Sequence, residues 1–279
     1  VSRVAIVTCL GSDVDPDSPL LLSALAEEGL DAHLVVWDDD VDWASFDITV
    51  IRSTWNYVDR RDQFLEWAKQ IAHLENPFEV IKYSTDKHYL ADLEARGVRI
   101  VPSVFCDVGQ EPEFPEGDFV VKPCVGAGSI DAERYRDAEH DRARHHVDAL
   151  HKKGRDALIQ PYIESVDVVG ERALIFVDGQ FRHAMTKSAM LNTLALDRDS
   201  LYRRQQMASA VAESDAIDFA FEIFRELGYE SLLYGRVDLV GTSEGWMLME
   251  LELVEPALYL LYDPLTATKL AQAIKVRLV

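Results

Sequence analysis

Two glutamates two residues apart, Glu250 and Glu252, interrupt an apolar run in Met247-Leu-Met-Glu-Leu-Glu-Leu-Val-Glu-Pro256. On a strand, alternate side chains share a face and lie roughly 7 Å apart, so two like charges stand together and need compensation. Water supplies it on an exposed face. On a buried face a bound divalent cation does so, because Mg²⁺ and Ca²⁺ prefer hard oxygen ligands on a rigid element. Upstream, Leu232-Leu-Tyr-Gly-Arg-Val-Asp-Leu-Val240 reads as a partner strand and Gly241-Thr-Ser-Glu-Gly245 as a hairpin turn. Pairing Val240 with Trp246 sets Arg236 opposite Glu250, with Asp238 on the same face. Three carboxylates and one guanidinium then describe a site for a metal ion carrying an anion.

A second concentration of chemistry lies in Phe119-Val-Val-Lys-Pro-Cys-Val-Gly-Ala-Gly-Ser129. Lys122 ends a short apolar strand. Gly126 and Gly128 let backbone approach a ligand closely, and backbone amides together with Ser129 can donate to phosphate oxygens. The segment is neither a Walker A loop nor a dinucleotide fingerprint, since the glycine spacing and the terminal Lys-Ser/Thr are missing. Ala157-Leu-Ile-Gln-Pro-Tyr-Ile163 reads as an apolar strand leading into Gln160, whose amide can read a base edge. Residues 170–177, the turn Asp178-Gly179 and residues 180–187 read as strand, turn and strand, with Lys187 at the end of the second. Taken singly, each feature is also explained by a solvated lysine or a packing turn. Together they describe an ATP site: lysines for the phosphates, carboxylates for Mg²⁺, and Arg236 to neutralise an anion formed in phosphoryl transfer.

The chain as a whole sets bounds on this reading. Its 279 residues allow two or three domains with substantial cores, and 48% hydrophobic with 28% charged residues is an ordinary soluble composition. Asp and Glu number 49 against 28 Lys and Arg, a formal charge of -21 that opposes nonspecific binding to nucleic acid or to an anionic membrane surface. A small anionic ligand is still admissible, since a few local cations reverse the field within one cleft. Cys9, Cys106 and Cys124 have neither metal-ligand spacing nor an even disulfide count. No apolar stretch reaches the roughly 18 residues of a membrane span. The expectation is a cytoplasmic protein, monomer or homodimer, that binds a small molecule and neither nucleic acid nor membrane.

The elements that must position these residues follow from pattern. Strands over 4–9, 33–37 and 48–52 alternate with a helix over 20–28 ended by Gly29, which predicts an α/β layer with a parallel sheet in about the first 80 residues. Arg52-Ser-Thr-Trp-Asn-Tyr57 leaves the carboxyl end of the third strand, the edge where open parallel sheets bind ligands, although a structural turn with a packed Trp is an equal reading. A helix over 60–74, and one capped by Ser84 or Thr85 and running to Arg96, precede a strand over 100–105. Residues 188–206 read as a mobile loop, 215–227 as an amphipathic helix and 265–273 as a final helix.

The order and spacing of Lys87, Lys122, Gly126-Ala-Gly-Ser129, Gln160-Pro-Tyr-Ile163, Lys187, Arg236-Val-Asp238 and Glu250-Leu-Glu252 resemble those of the ATP-grasp ligases across most of the chain. The resemblance implies a fold of α/β and α+β subdomains: an N-terminal, substrate-side parallel-sheet unit over 1–81, a central subdomain over 82–164 and a C-terminal one with the metal site over 165–279. It implies that Lys87 and Lys122 contact phosphates, that the loop of Gly126, Gly128 and Ser129 closes over them, and that Gln160, Pro161, Tyr162 and Ile163 receive the adenine. Asp167 or Glu171 takes the ribose, Lys187 the terminal phosphates, and Asp238, Glu250 and Glu252 hold Mg²⁺ or Mn²⁺. Many members carry Glu-x-Asn where this chain has Glu250-Leu-Glu252, a second carboxylate that can still ligate Mg²⁺ or Mn²⁺ and adds negative charge. Arg52-Ser-Thr-Trp-Asn-Tyr57, Thr85-Asp-Lys-His-Tyr-Leu90, Lys122-Pro123, Arg182-His-Ala-Met-Thr-Lys187 and the 250–256 segment look like a smaller bacterial group, the O-ureido-D-serine cyclo-ligases of D-cycloserine biosynthesis. That likeness implies an ATP-dependent activation of an amino-acid-like carboxylate as an acyl phosphate, with Arg236, Lys187 and Arg52 catalytic and Arg52 on the acceptor side. An amide- or dipeptide-forming ligase and a non-catalytic nucleotide-binding regulator are the alternatives.

Overall fold

The computed structural model describes residues 1–11, 15–188 and 207–278. From residue 189 onward, the loop expected over 188–206 lies outside the described residues. The chain opens with β1 (Arg3–Thr8), α1 (Asp17–Glu27), β2 (Asp31–Val36), β3 (Ile48–Ser53), α2 (Arg61–Gln70) and the short β4 (Leu74–Glu75). These strands form a parallel sheet in the order β2-β1-β3-β4. Val4, Ala5, Ile6 and Val7 are all fully buried, as a central parallel strand covered on both faces requires. Helix α1 begins three residues before the expected start, because Pro19 falls in its first turn, where an amide hydrogen has no intrahelical acceptor to lose.

Two short helices follow, α3 (Phe78–Ser84) and α4 (Tyr89–Ala95), in place of the single helix expected from Ser84 or Thr85 to Arg96. Then come β5 (Val104–Cys106), β6 (Phe119–Pro123), β7 (Glu133–Tyr135), α5 (His140–Lys152) and β8 (Ala157–Pro161), an antiparallel sheet in the order β5-β8-β6-β7. The short α6 (Ser165–Val169) leads into β9 (Glu171–Val177), β10 (Gln180–Lys187), β11 (Met207–Ala210), α7 (Ser214–Leu227), β12 (Tyr234–Thr242) and β13 (Gly245–Glu252). Their sheet is antiparallel, ordered β11-β10-β9-β12-β13, and α8 (Pro264–Arg277) closes the chain. Among the described residues no helix is long and apolar enough to cross a membrane.

The sheets are not independent beads. Val4, Ile6 and Val50 of the parallel sheet share a core with Ala173, Ile175 and Val177 of β9 and with Leu270, Ala271 and Ile274 of α8. The strand expected over 100–105 is shorter at its start: Ile100 makes a parallel bridge to Leu248, and Val101 donates its amide to the Leu248 carbonyl at 2.9 Å. The chain entering the central sheet is thereby stitched to β13.

Side chains finish that stitching. The Tyr89 hydroxyl accepts from the Leu251 amide at 2.8 Å, and Ser84 donates to the Leu251 carbonyl at 3.1 Å while accepting from the Leu253 amide at 3.2 Å. Ser84 thus serves the edge of β13 and caps no helix. Asn76, fully buried, donates to the Tyr234 and Leu253 carbonyls at 2.9 and 2.7 Å and accepts from the Leu233 amide at 3.1 Å. Replacing it by Ala leaves three buried backbone groups unpaired, each worth about 1–3 kcal/mol. Asn76→Ala is therefore expected to destabilise the protein by about 3 kcal/mol or more, read as a lower urea midpoint with an unchanged slope. A midpoint within experimental error of the parent would show that these bonds contribute nothing.

Candidate functional site

One large cavity opens between the central sheet, the C-terminal sheet and the end of the 52–57 segment, and it collects most of the residues singled out by sequence. Lining it are Lys87, Lys122, Gly126, Gly128, Ser129, Gln160, Pro161, Tyr162, Ile163, Glu171, Lys187, Arg236, Glu250 and Glu252. Strand β12 delivers Arg236 and Asp238, and β13 delivers Glu250 and Glu252 on the same face, with Leu251 turned into the core. The register differs from the expected one: Arg236 is opposite Glu252, and Asp238 is opposite Glu250. Val240 pairs with Met247 rather than Trp246, and an irregularity between Asp238 and Leu239 shifts the pairing by one further residue. Period two places the charges on one face, but a turn one residue longer and a bulge lie beyond what period reveals.

Charges in this face are matched in pairs. Asp238, 1% exposed, accepts from Arg236 Nε at 2.9 Å and Nη2 at 3.1 Å and from Lys187 Nζ at 2.6 Å. These cations outweigh burial and hold its carboxyl below the ordinary range. Arg236 also pairs with Glu252 and donates to the Ala257 carbonyl at 3.1 Å. Lys187 reaches Glu171 at 2.9 Å. Gly170, at φ +72°, makes that pairing possible, since a Cβ there would lie 2.6 Å from the Lys187 carbonyl oxygen.

Lys87 bridges two elements, with Nζ 2.9 Å from Glu250 Oε1 and 3.0 Å from the Gly126 carbonyl. Burial opposes both charges, yet the attraction wins: Lys87 is raised, and Glu250, facing Lys87 and Lys122, is lowered to about 2. Glu252 goes the other way, to about 7, because burial and the charges of Glu250 and Asp238 outweigh Arg236. Asp238, Glu250 and Glu252 each bring a carboxylate oxygen within 4.8 Å of the others. Hard oxygen donors at that spacing, with one acid held uncomfortably close to its neighbours, fit a Mg²⁺ or Mn²⁺ ion.

Lys122 differs from the other two lysines. Among the described residues it has no ion pair, and its ammonium is lowered by burial and by the charges of Lys87 and Lys187, against the pull of Glu250. The glycine loop beside it runs through left-handed backbone at Gly128, Ser129 and Asp131, with φ of 61, 57 and 56°. Arg155 pins it by donating to Asp131 at 2.7 Å and to the Val125 carbonyl at 2.8 Å. Gln160 donates to Ser103 at 2.9 Å.

Two expected site residues stand elsewhere. Arg52 is expected on the acceptor side, but it is 2% exposed and does not line the cavity: Nη2 donates to the Pro256 carbonyl at 2.6 Å, the guanidinium lies 4.9 Å from the centre of the Tyr234 ring, and Asp17 is 4.0 Å away. It braces the 253–260 segment. Asp167 also lies off the cavity, where it binds the Tyr162 hydroxyl and Arg134, so of the two ribose candidates only Glu171 faces the site. Sequence reasoning misses Glu255 and Tyr259. Glu255 belongs to the Glu-x-Glu-x-x-Glu run but breaks its period, and its neighbour in space, Tyr57, comes from 198 positions earlier.

The chain is similar over its whole length to known proteins. A family model described as D-cycloserine synthetase DcsG, N-terminal domain, matches residues 4–78. The cycloserine biosynthesis protein DcsG of Streptomyces lavendulae is 35% identical over 301 aligned positions, covering 99% of this chain and 98% of that protein. The crystal structure of D-cycloserine synthetase DcsG superposes with a TM-score of 0.89 at 33% identity, over 100% of both chains. D-alanine–D-alanine ligase of Bacillus anthracis, at 13% identity, covers 99% of both chains with a TM-score of 0.71, a likeness of fold.

The lone ammonium of Lys122 yields a test that needs no substrate. A lysine lowered by burial costs the folded state its charge, and Lys122→Met removes the charge while keeping the stem. The variant is expected to melt at the parent temperature or above it. It should also lose most of the thermal shift that inorganic triphosphate gives the parent, with affinity at least about tenfold weaker, which is about 1.4 kcal/mol. Equal triphosphate shifts in both proteins would remove Lys122 from any anion site.

Proposed function

The chain belongs to the D-cycloserine synthetase family of ATP-grasp ligases, and from that membership we propose that it converts O-ureido-D-serine to D-cycloserine. It is an ATP-dependent ligase that forms a C–N bond, with ADP and phosphate as nucleotide products. The observation that carries this reading is the extent of the likeness, 35% identity over 99% of the chain, joined to a cavity whose cations and carboxylates suit a nucleoside triphosphate with a divalent ion. An ATP-consuming enzyme whose three cysteines are all free suits the cytoplasm.

The three subdomains, over 1–81, 82–164 and 165–279, divide the work. Gln160, Pro161, Tyr162 and Ile163 receive the adenine, and Glu171 the ribose. Lys122, whose ammonium no carboxylate pairs among the described residues, takes the phosphate chain, and Lys87 ties the glycine loop to Glu250 so that the loop covers the phosphates where the carboxylates begin. Asp238, Glu250 and Glu252 hold Mg²⁺ or Mn²⁺, which when bound supplies positive charge to the transferring phosphoryl oxygens. The substrate carboxylate, held in line with the γ-phosphorus, becomes an acyl phosphate, and the nitrogen bonded to oxygen in the same molecule attacks it to close the isoxazolidinone ring; that nitrogen stays in the ring, and the carbamoyl part of the ureido group leaves with water as carbon dioxide and ammonia. No side-chain nucleophile takes part, so catalysis is positioning and charge stabilisation.

Arg236 has five guanidinium hydrogens. Asp238, Glu252 and the Ala257 carbonyl account for four of them, which among the described residues leaves one N–H for charge developing on the acyl phosphate. Trp55 and Tyr57 line the acceptor end of the cavity.

Incubation with Mg²⁺-ATP and O-ureido-D-serine is expected to give the cyclic product, ADP and phosphate, identified by mass spectrometry. If the protein instead joins a carboxylate to an added amine, the cyclising assignment fails and the ligase assignment stands. Glu250→Gln is expected to lower turnover by about 10²-fold or more, as loss of one preorganised charge at a transferring group does, with an unchanged far-UV spectrum. Full turnover of that variant at low Mg²⁺ would remove Glu250 from the metal site.

A further inference from the structure

Among the described residues every carboxylate lining the cavity except one is paired with a cation. Glu171 and Asp238 hold Lys187, Asp238 and Glu252 hold Arg236, and Glu250 holds Lys87. Glu255 lines the same cavity three residues beyond the last metal carboxylate, is 9% exposed, and has no ion pair among the described residues. The buried Tyr57 faces it from the N-terminal unit, and the Trp55 indole N–H points to its backbone carbonyl at 3.4 Å.

Ring closure needs such a group. A nitrogen that attacks an acyl phosphate carries a hydrogen it must lose, and the charged ammonium and guanidinium groups around it cannot take a proton. We propose that the Glu255 carboxylate accepts this proton and that Tyr57 is the residue that positions it, an inference that rests on the ligase reading above. In the step, the lone pair of the nitrogen forms the C–N bond, the bond from the acyl carbon to the phosphate oxygen breaks, and phosphate leaves with that electron pair. The N–H proton passes to a Glu255 oxygen and from there to solvent. The proton affinity of the carboxylate suits this transfer near neutral pH. Burial first, then the charge of Glu252, push Glu255 up to about 8, while Tyr57 and the more distant Lys87 restrain it and Glu250 adds to the rise.

Hydroxylamine separates activation from closure, because it captures an acyl phosphate as the hydroxamate without needing the enzyme's base. With Mg²⁺-ATP, O-ureido-D-serine and hydroxylamine, Glu255→Gln is expected to form cyclic product roughly 10²-fold more slowly than the parent. Substrate-dependent ADP release and hydroxamate should persist. Glu255→Asp should recover part of the closure, and Tyr57→Phe should show the same partition with a smaller loss. Cyclic product within a few-fold of the parent in Glu255→Gln would overturn the proposal. So would a parallel fall of hydroxamate and product, the signature of a structural or binding role. If the parent itself closes no ring but couples an added amine, the substrate assignment fails, and the same partition read with that amine decides the role of Glu255: coupling lost with hydroxamate kept supports it, and both lost or both kept overturns it.

Discussion

Asp238 sits between the Arg236 guanidinium and the Lys187 ammonium at a depth where it is 1% exposed. Removing one partner from a buried ion pair strands the other charge, at a cost of about 3–5 kcal/mol. This constraint propagates outward. Arg236 must also be satisfied, and Glu252 and the Ala257 carbonyl do so; Lys187 needs a second acceptor, and Glu171 supplies it from the neighbouring strand. The bulge at Met249 in β13 and the glycine before β9 are the backbone adjustments that let these charged side chains from separate strands meet. A protein with a formal charge of -21 thus carries, in one cleft, an ordered alternation of both signs.

The same face explains why the remaining cation is informative. Lys87 is neutralised by Glu250 and Lys187 by two acids, while Lys122 carries a charge that no ion pair among the described residues balances. On the acidic side, Glu252 and Glu255 are both raised into the neutral range, since a buried carboxyl near other carboxylates resists ionisation. The cleft therefore holds an unmatched positive charge at its glycine-loop end and surplus acid at its β13 end. A polyanion accompanied by a divalent cation relieves both at once.

What can be read from sequence is local. The Glu-x-Glu alternation, the glycine turn after Lys122 and the parallel layer of the first 80 residues are written in short-range pattern, and the cavity gathers those lysines and carboxylates. The register of Arg236 against Glu252 escapes because a turn length and a bulge have no periodic signature. Helix α3, starting at Phe78, is hidden because Ser84 has the chemistry of a cap, although its hydroxyl is spent on the backbone of β13. Arg52 stands at the carboxyl end of a parallel strand, a place that suggests a ligand-facing residue. Its actual partners, the Pro256 carbonyl and the Tyr234 ring, lie 204 and 182 positions away in the chain. Glu255 and Tyr57 belong to the same class of contact, which only the folded chain brings together.

Asp17, near the start of α1, has a bearing on how the protein is born. Its carboxylate accepts from the amides of Leu258, Tyr259 and Leu260 at 2.7, 3.1 and 2.8 Å, across 241 to 243 positions of sequence. On a ribosome adding about 5–20 residues per second, those amides follow Asp17 by on the order of ten to fifty seconds. Throughout that interval the parallel sheet has a buried-to-be acid with no donors and lacks the α8 residues that share its core. The N-terminal unit is therefore made well before the turn and the helix that complete it. The Asp17 carboxylate and the core face of β1 and β3 gain their partners only once the 258–260 turn and α8 have been made.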